Sequence, residues 1–244
     1  YTCSADYLRL TADTAKELGC GIHIHLAETQ QEVKDCVAKN GMTPIQFVDS
    51  LGILDAGCLV AHGVWATEEE ISLLVAKKAR VAHNPQSNLK LASGIAPVEK
   101  MRQKGVVVGL GTDGATSNNN LDMLEETRLT AMLHKTVAYD PLAIPAAAAW
   151  DMATYQGARC IGYENLGKLE EGFLADIVLY DMNKPYWHPR HDRLSLLVYA
   201  ANAGDADTAI INGKVIMEKK EVKTLDAEKI YAEADAIARR LTGK

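Results

Sequence analysis

The chain has 244 residues, 48% of them hydrophobic and 24% charged, which is enough apolar material for a sizeable core and excludes a disordered segment. A formal net charge of -6 with no long run of Lys or Arg argues against nucleic acid as a partner, because such affinity rests on neutralising phosphates. No uninterrupted apolar run reaches the ~20 residues that span a bilayer, and Tyr1-Thr2-Cys3-Ser4 has neither a charged nor an apolar leader region, so a cytoplasmic protein with no membrane partner is expected.

Ser4 suits the cap of a helix running to about Lys16 and closed by Gly19, after which Gly21 to Leu26 reads as a strand. Thr29 with Glu32 three residues on forms a capping box for the next helix, and Thr67 with Glu70 forms another behind a strand over 57–62. A third strand covers 79–83. Pro97 suits a first helical turn, and Gly105 the stop before a fourth strand over 106–111. Asn118-Asn119-Asn120 then reads as the cap of a helix from about Leu121 to Lys135, and an Ala-rich helix follows Pro145.

Strict alternation of short apolar strands with amphipathic helices predicts an α/β fold with a parallel sheet. Four such units are half of what a closed barrel requires. The alternatives are an open, doubly wound sheet and the C-terminal half of a (β/α)8 TIM-type barrel, its strands 5 to 8; a start without Met favours the second. Residues 1–162 form this barrel part. Residues 163–224 read as a small β module, part of a β-sandwich, in which Ala175-Asp176-Ile177-Val178-Leu179-Tyr180 is one strand and Asn212-Gly213 a hairpin turn. Residues 225–244 close the chain with an amphipathic surface helix, roughly Ala227 to Leu241. The 5 cysteines are scattered with no C-x-x-C spacing and read as reduced thiols, Cys58 and Cys160 among them as core residues.

The chemistry concentrates at strand ends. His25 with Glu28, His62, His83 and Asp113 each follow an apolar strand at its C-terminal tip, the face on which a β/α barrel builds its site. A single histidine in such a place is more often a hydrogen-bonded structural residue than a ligand, and the weight comes from the set. Imidazole together with carboxylate suits one divalent ion, zinc first, with iron or manganese as alternatives. His23 and His25 share one face of their strand; both could be ligands, but the spacing of Glu28 favours His25 as the ligand and His23 as a deeper, packed residue. His83 lies among turn formers, where a loop-ordering hydrogen bond weighs about equally with substrate contact. His134, His188 and His191 read as surface or structural, and the Asn run could also support Asp113 from behind.

The runs His23-Ile24-His25-Leu26-Ala27-Glu28-Thr29, Val60-Ala61-His62-Gly63, His83-Asn84-Pro85-Gln86-Ser87-Asn88-Leu89-Lys90-Leu91 and Gly111-Thr112-Asp113-Gly114 resemble the amidohydrolase superfamily, and within it the 5-methylthioadenosine/S-adenosylhomocysteine deaminase branch. The resemblance implies that His25 and Asp113 bind the metal, that Glu28 contacts the purine and handles its proton, that His62 orients the nucleophile or the oxygen at the reacting carbon, and that Asp113 is also the general base. It implies a small nucleoside as substrate, bound by Glu28, His62, His83 and Asp113, and hydrolytic deamination at C6 to an inosyl product and ammonia. The family's first-strand H-x-H pair is expected upstream of Tyr1. A triazine chlorohydrolase or a guanine or cytosine deaminase shares the same metal logic. A catalytically retired barrel serving in binding or assembly is the alternative from another class, although none of the four key residues is lost. Oligomeric state stays open, and residues 1–244 alone are expected to aggregate through two unpaired sheet edges.

Overall fold

The computed structural model describes residues 2–243. Helix α1 (Ala5–Leu18) starts where the Ser4 hydroxyl accepts the Tyr7 amide at 3.2 Å, and it stops on Gly19 in the left-handed conformation. The chain continues through β1 (His23–Leu26), α2 (Gln30–Asn40), α3 (Pro44–Ser50), β2 (Leu59–His62), α4 (Glu68–Ala76) and β3 (Arg80–His83). It then forms α5 (Pro85–Lys90), α6 (Val98–Gln103), β4 (Val108–Leu110), α7 (Ala115–Asn118), α8 (Met123–Ala138), α9 (Ala146–Ala153) and α10 (Tyr155–Cys160).

The first sheet has the order β1-β2-β3-β4 with every neighbour parallel, and its register aligns His25 with Ala61, Ala61 with Ala82, and Ala82 with Gly109. Consecutive strands pair consecutively because each returns through at least one helix, the connection that parallel strands demand. Val60, Val81 and Val108 from the sheet join Ile45, Ile71, Leu74, Val98 and Met101 from the crossover helices in one buried cluster. At about 1.5–3 kcal/mol per fully buried side chain of this size, that layer fixes the sheet. Helix α10 lies unusually close to β4: a Cβ on Gly109 would stand 2.8 Å from the Gly157 Cα.

A second, antiparallel sheet is built from β5 (Ile177–Tyr180), β6 (Ala206–Ile211), β7 (Lys214–Glu218) and β8 (Glu221–Val222), with α11 (Arg193–Tyr199) inserted after β5 and α12 (Ala227–Thr242) closing the chain. The Asn-Gly turn is the one expected: Asn212 at φ 48° and Gly213 at φ 74° give the left-handed pair that matches strand twist. The two bodies meet where Trp187 and Ala201, on either side of α11, are buried with Leu124 of α8, and Tyr180 of β5 packs against them. Arg128 of α8 adds hydrogen bonds to the Val198 and Ala201 carbonyls.

Several expectations need correction. The parallel strands are shorter than the apolar runs that announce them, although the carbonyls of Ile22, Cys58 and Val107 ahead of them already accept from a neighbouring strand at 2.8, 2.9 and 3.0 Å. Asp122, not the Asn run, caps α8, accepting the Leu124 and Glu125 amides at 2.8 and 3.2 Å. Pro97 is the cap of α6 rather than a residue of its first turn. His23 is exposed, not packed: among the described residues β1 is an edge strand of the sheet. Cys58 and Cys160 are buried and free, and burial pushes their thiols up to about 12 and about 11, which leaves them inert at neutral pH. Among the described residues no helix is long and apolar enough to cross a membrane.

Candidate active site

Three strand tips converge. His25 at the end of β1, His62 at the end of β2 and Asp113 three residues beyond β4 each offer a ligand-type atom, and these atoms all lie within 4.8 Å of one another. The His25 and His62 rings stand 5.2 Å apart between centroids. Backbone geometry aims two of them: His62 and Asp113 have φ of 72° and 61°, left-handed values that cost a non-glycine residue of order 1–3 kcal/mol and that recur at functional sites. After His62, the Gly63 and Trp65 amides donate to the carbonyls of Leu26 and Ala27 at 3.1 and 2.9 Å, so the loops behind β1 and β2 are held as one piece.

Glu28 stands beside this group, its Oε2 3.8 Å from His62 Nε2 and its Oε1 3.4 Å from the Ser93 hydroxyl. The α2 capping box fixes it from below, since the Glu32 carboxylate accepts the Ala27, Glu28 and Thr29 amides at 2.9, 2.6 and 3.4 Å. A motif read from the sequence as a helix start therefore also orients the carboxylate that reaches the site.

His62 is buried, and its Nδ1 faces the Asn88 Oδ1 at 2.8 Å. An amide oxygen only accepts, so with Asn88 in this orientation Nδ1 carries the proton and donates, while the Asn88 Nδ2 is left buried without a partner. The lone pair is left on Nε2, a buried atom without a hydrogen-bond partner that is turned toward Glu28. Asp113 receives two hydroxyls on the same oxygen, Ser87 Oγ at 2.7 Å and Ser117 Oγ at 2.6 Å. Burial raises its carboxyl, but these two bonds, the Gly114 amide and the nearby His62 outweigh it, and the group sits below the ordinary Asp value. It is therefore an anion at neutral pH with one oxygen ordered by two hydroxyls.

The donor set fits a divalent cation: two imidazoles, one ionised carboxylate, and an orphaned buried Nε2 among them. The cluster is larger by His62 than the metal pair His25 and Asp113 read from the sequence. His83 is fully buried, its Nε2 faces His134 Nε2 at 3.2 Å as a link between β3 and α8, and its Nδ1 is buried without a hydrogen-bond partner. His134 is likewise buried, which leaves the structural one of its two expected roles. His188 and His191 stand at the surface, as expected. Ser87, Asn88, Ser117 and Glu126 were not singled out in the sequence; their signal, polar side chains flanking strand ends, is too common to select them.

The amidohydrolase family model matches residues 1–216. The chain belongs to the amidohydrolase family. This amidohydrolase is 52% identical over 244 residues to a 5-methylthioadenosine/S-adenosylhomocysteine deaminase of Dictyoglomus thermophilum, covering 100% of the chain and 57% of that relative. It is 54% identical over 233 residues to the protein of the same name from Moorella thermoacetica, covering 95% and 54%. Among solved structures, an adenosine deaminase from Xanthomonas campestris with bound zinc superposes with a TM-score of 0.96 at 36% identity, over 100% of this chain and 56% of that one. Atrazine chlorohydrolase TrzN from Arthrobacter aurescens TC1, complexed with zinc, gives 0.87 at 29% identity, over 96% and 52%. The amidohydrolase thus spans about half the length of the curated relatives it matches.

Proposed function

We propose that this chain contributes His25 and Asp113 as ligands for one divalent ion, most simply zinc, and Glu28, His62 and Asp113 as the acid-base and positioning groups of a hydrolytic deaminase acting on a 5-methylthioadenosine or S-adenosylhomocysteine type of nucleoside. One observation carries the proposal: ligand-type atoms from three separate strand tips fall within 4.8 Å of one another, with the Glu28 carboxylate beside them. The named relatives and zinc-containing neighbours support the substrate class and the metal. When bound, the ion supplies Lewis acidity, which brings a water toward deprotonation near neutral pH.

The protein groups then have separable duties. Glu28, held by its backbone and touching Ser93, is placed to pass a proton to a purine ring nitrogen as the C6 carbon is attacked. His62, with its proton fixed on Nδ1 by Asn88, presents a lone pair that orders the attacking water. Asp113, kept anionic by two hydroxyls, takes the water's proton and carries it toward the departing amine. Ammonia and an inosyl product result.

We further infer that β1 to β4 are strands five to eight of a (β/α)8 barrel, that 1–162, 163–224 and 225–244 are its structural units, and that the protein works in the cytoplasm on a small molecule, away from nucleic acid and membranes. The parallel order of the sheet and the coverage of longer relatives support the barrel reading. The deciding experiment is product release from a panel of S-adenosylhomocysteine, 5-methylthioadenosine, adenosine, guanine, cytosine and a chlorotriazine, with and without zinc. Ammonia from the first two, lost on chelation and regained with zinc, is the expected result. Chloride release or guanine turnover would transfer the site to its rivals, and zinc binding without turnover of any substrate would favour the retired barrel.

A further inference from the structure

Helix α5 bears on the site through successive residues. Ser87 donates to Asp113 Oδ2 at 2.7 Å, and Asn88 accepts from His62 Nδ1 at 2.8 Å. Helix α7 reaches the same Asp113 oxygen through Ser117 at 2.6 Å. These helices have six and four residues, too short to hold a position by their own backbone bonds. What anchors them is a carboxylate behind both. Glu126, fully buried on α8, accepts the Gln86 amide on Oε2 at 3.1 Å and the Asn118 Nδ2 on Oε1 at 2.5 Å. Gln86 precedes Ser87, and Asn118 follows Ser117. The Gln86 Nε2 also donates to the Asn118 carbonyl at 2.9 Å, so the two anchored residues are tied to each other as well.

We propose that Glu126 is a positioning residue of this site: through Gln86 and Asn118 it sets where Ser87, Ser117 and Asn88 stand, and thereby the placement of Asp113 and His62. The proposal rests on the reading that Asp113 is a metal ligand. It explains why a carboxylate occupies a fully buried place. Both neighbours are donors, and of the side chains that fit only a carboxylate offers two acceptor oxygens; a glutamine would turn its own NH2 against one of them. The Glu126 carboxyl is raised to about 7, by burial first and by the charges of Glu125 and Asp122, against the lowering effect of the Gln86 and Asn118 bonds. Such a group is costly to bury, and it persists where the donors around it are fixed.

The test compares the parent protein, in its zinc-loaded full-length form, with Glu126→Gln and Glu126→Asp. Zinc dissociation is measured by competition with a chelating indicator, with kcat, KM and thermal midpoint alongside. Partners one step removed from a metal ligand typically alter affinity or activity by 10–100-fold. For Glu126→Gln, zinc affinity and kcat should each fall by about 10-fold while KM is unchanged within about twofold, and Glu126→Asp, which keeps both acceptors, should recover part of the loss. A Glu126→Gln protein that melts earlier but binds zinc and turns over like the parent would make the carboxylate merely structural and overturn the proposal. Should that variant not fold, Asn118→Ala, which cuts one of the two ties along with the acceptor of the Leu121 amide, is judged by the same comparison. A parent that takes up no zinc would sink the metal reading itself, a result distinct from equal binding by parent and variant.

Discussion

Replacing Asn88 by alanine removes the acceptor that fixes the His62 proton. In the native site Nδ1–H meets the Asn88 Oδ1 at 2.8 Å, and the next polar atom near Nδ1 is the Asn84 Nδ2 at 3.5 Å, a donor. Both His62 and Asn88 are about 1% exposed, so water does not substitute for the lost partner. A buried donor left unsatisfied costs about 1–3 kcal/mol. The ring escapes that cost by moving its proton to Nε2, which turns Nδ1 into an acceptor for Asn84. At 1.36 kcal/mol per tenfold, the tautomer ratio shifts by roughly 5–150-fold toward Nε2–H. The lone pair that faced Glu28 is then gone, and kcat should drop by about 10–100-fold with KM little changed. Nitrogen-15 spectra of histidine-labelled protein report the tautomer directly: in Asn88→Ala the Nδ1 resonance should move from the protonated to the unprotonated range, while Asn88→Asp, which keeps the acceptor, should not show the move. An unchanged Nδ1–H signal together with parental kcat would refute the argument that Asn88 sets the state of His62.

Three further outcomes follow from the same geometry. Glu28→Gln should retain zinc content by elemental analysis yet lose about 10²–10⁴-fold in kcat, the usual worth of a placed proton carrier; parental turnover would remove Glu28 from the mechanism. Gly109→Ala would set a Cβ 2.8 Å from the Gly157 Cα and 3.1 Å from the Cys160 Sγ, backbone against backbone with little room to yield. It should cost about 1–3 kcal/mol in denaturant melts, and an undiminished midpoint would show that α10 can move off β4. His134 has its value lowered from 6.5 to about 4, by burial first and then by Arg102, so below pH 6.5 the unfolded chain binds the proton that the folded chain refuses. Stability should therefore be complete above that pH and decline as pH falls toward 4; a flat midpoint across this window in urea titrations would contradict the burial of the ring.

Much of this was legible because the signals are local. A strand ending in His or Asp is visible as a run of letters, and both capping boxes, at Thr29 with Glu32 and at Thr67 with Glu70, form as read. The Asn212-Gly213 turn is equally local, set by two residues that tolerate left-handed backbone. What stayed hidden depends on which pieces lie against each other. Asn88 reaches His62 and Ser87 reaches Asp113, each across 26 positions, and no spacing rule links such partners. His23 misled because packing was inferred from its strand without knowing that β1 stands at an edge of the sheet. His134 could have been placed better: Leu124, Thr127, Ala131 and His134 repeat at helical spacing and are all buried, so the stripe itself points His134 inward.

The candidate ligands His25, His62 and Asp113 sit on separate strands, each delivered only when its strand has found the next one. An unstructured chain of this sequence therefore does not bring these three ligands together, unlike short metal motifs that seize an ion and fold around it. Zinc capture should come late, after the slow long-range pairing of a parallel sheet. Metal occupancy then doubles as a gauge of conformational integrity: any lesion that loosens strand order, however far from the mouth, should first be noticed as leakage of the ion.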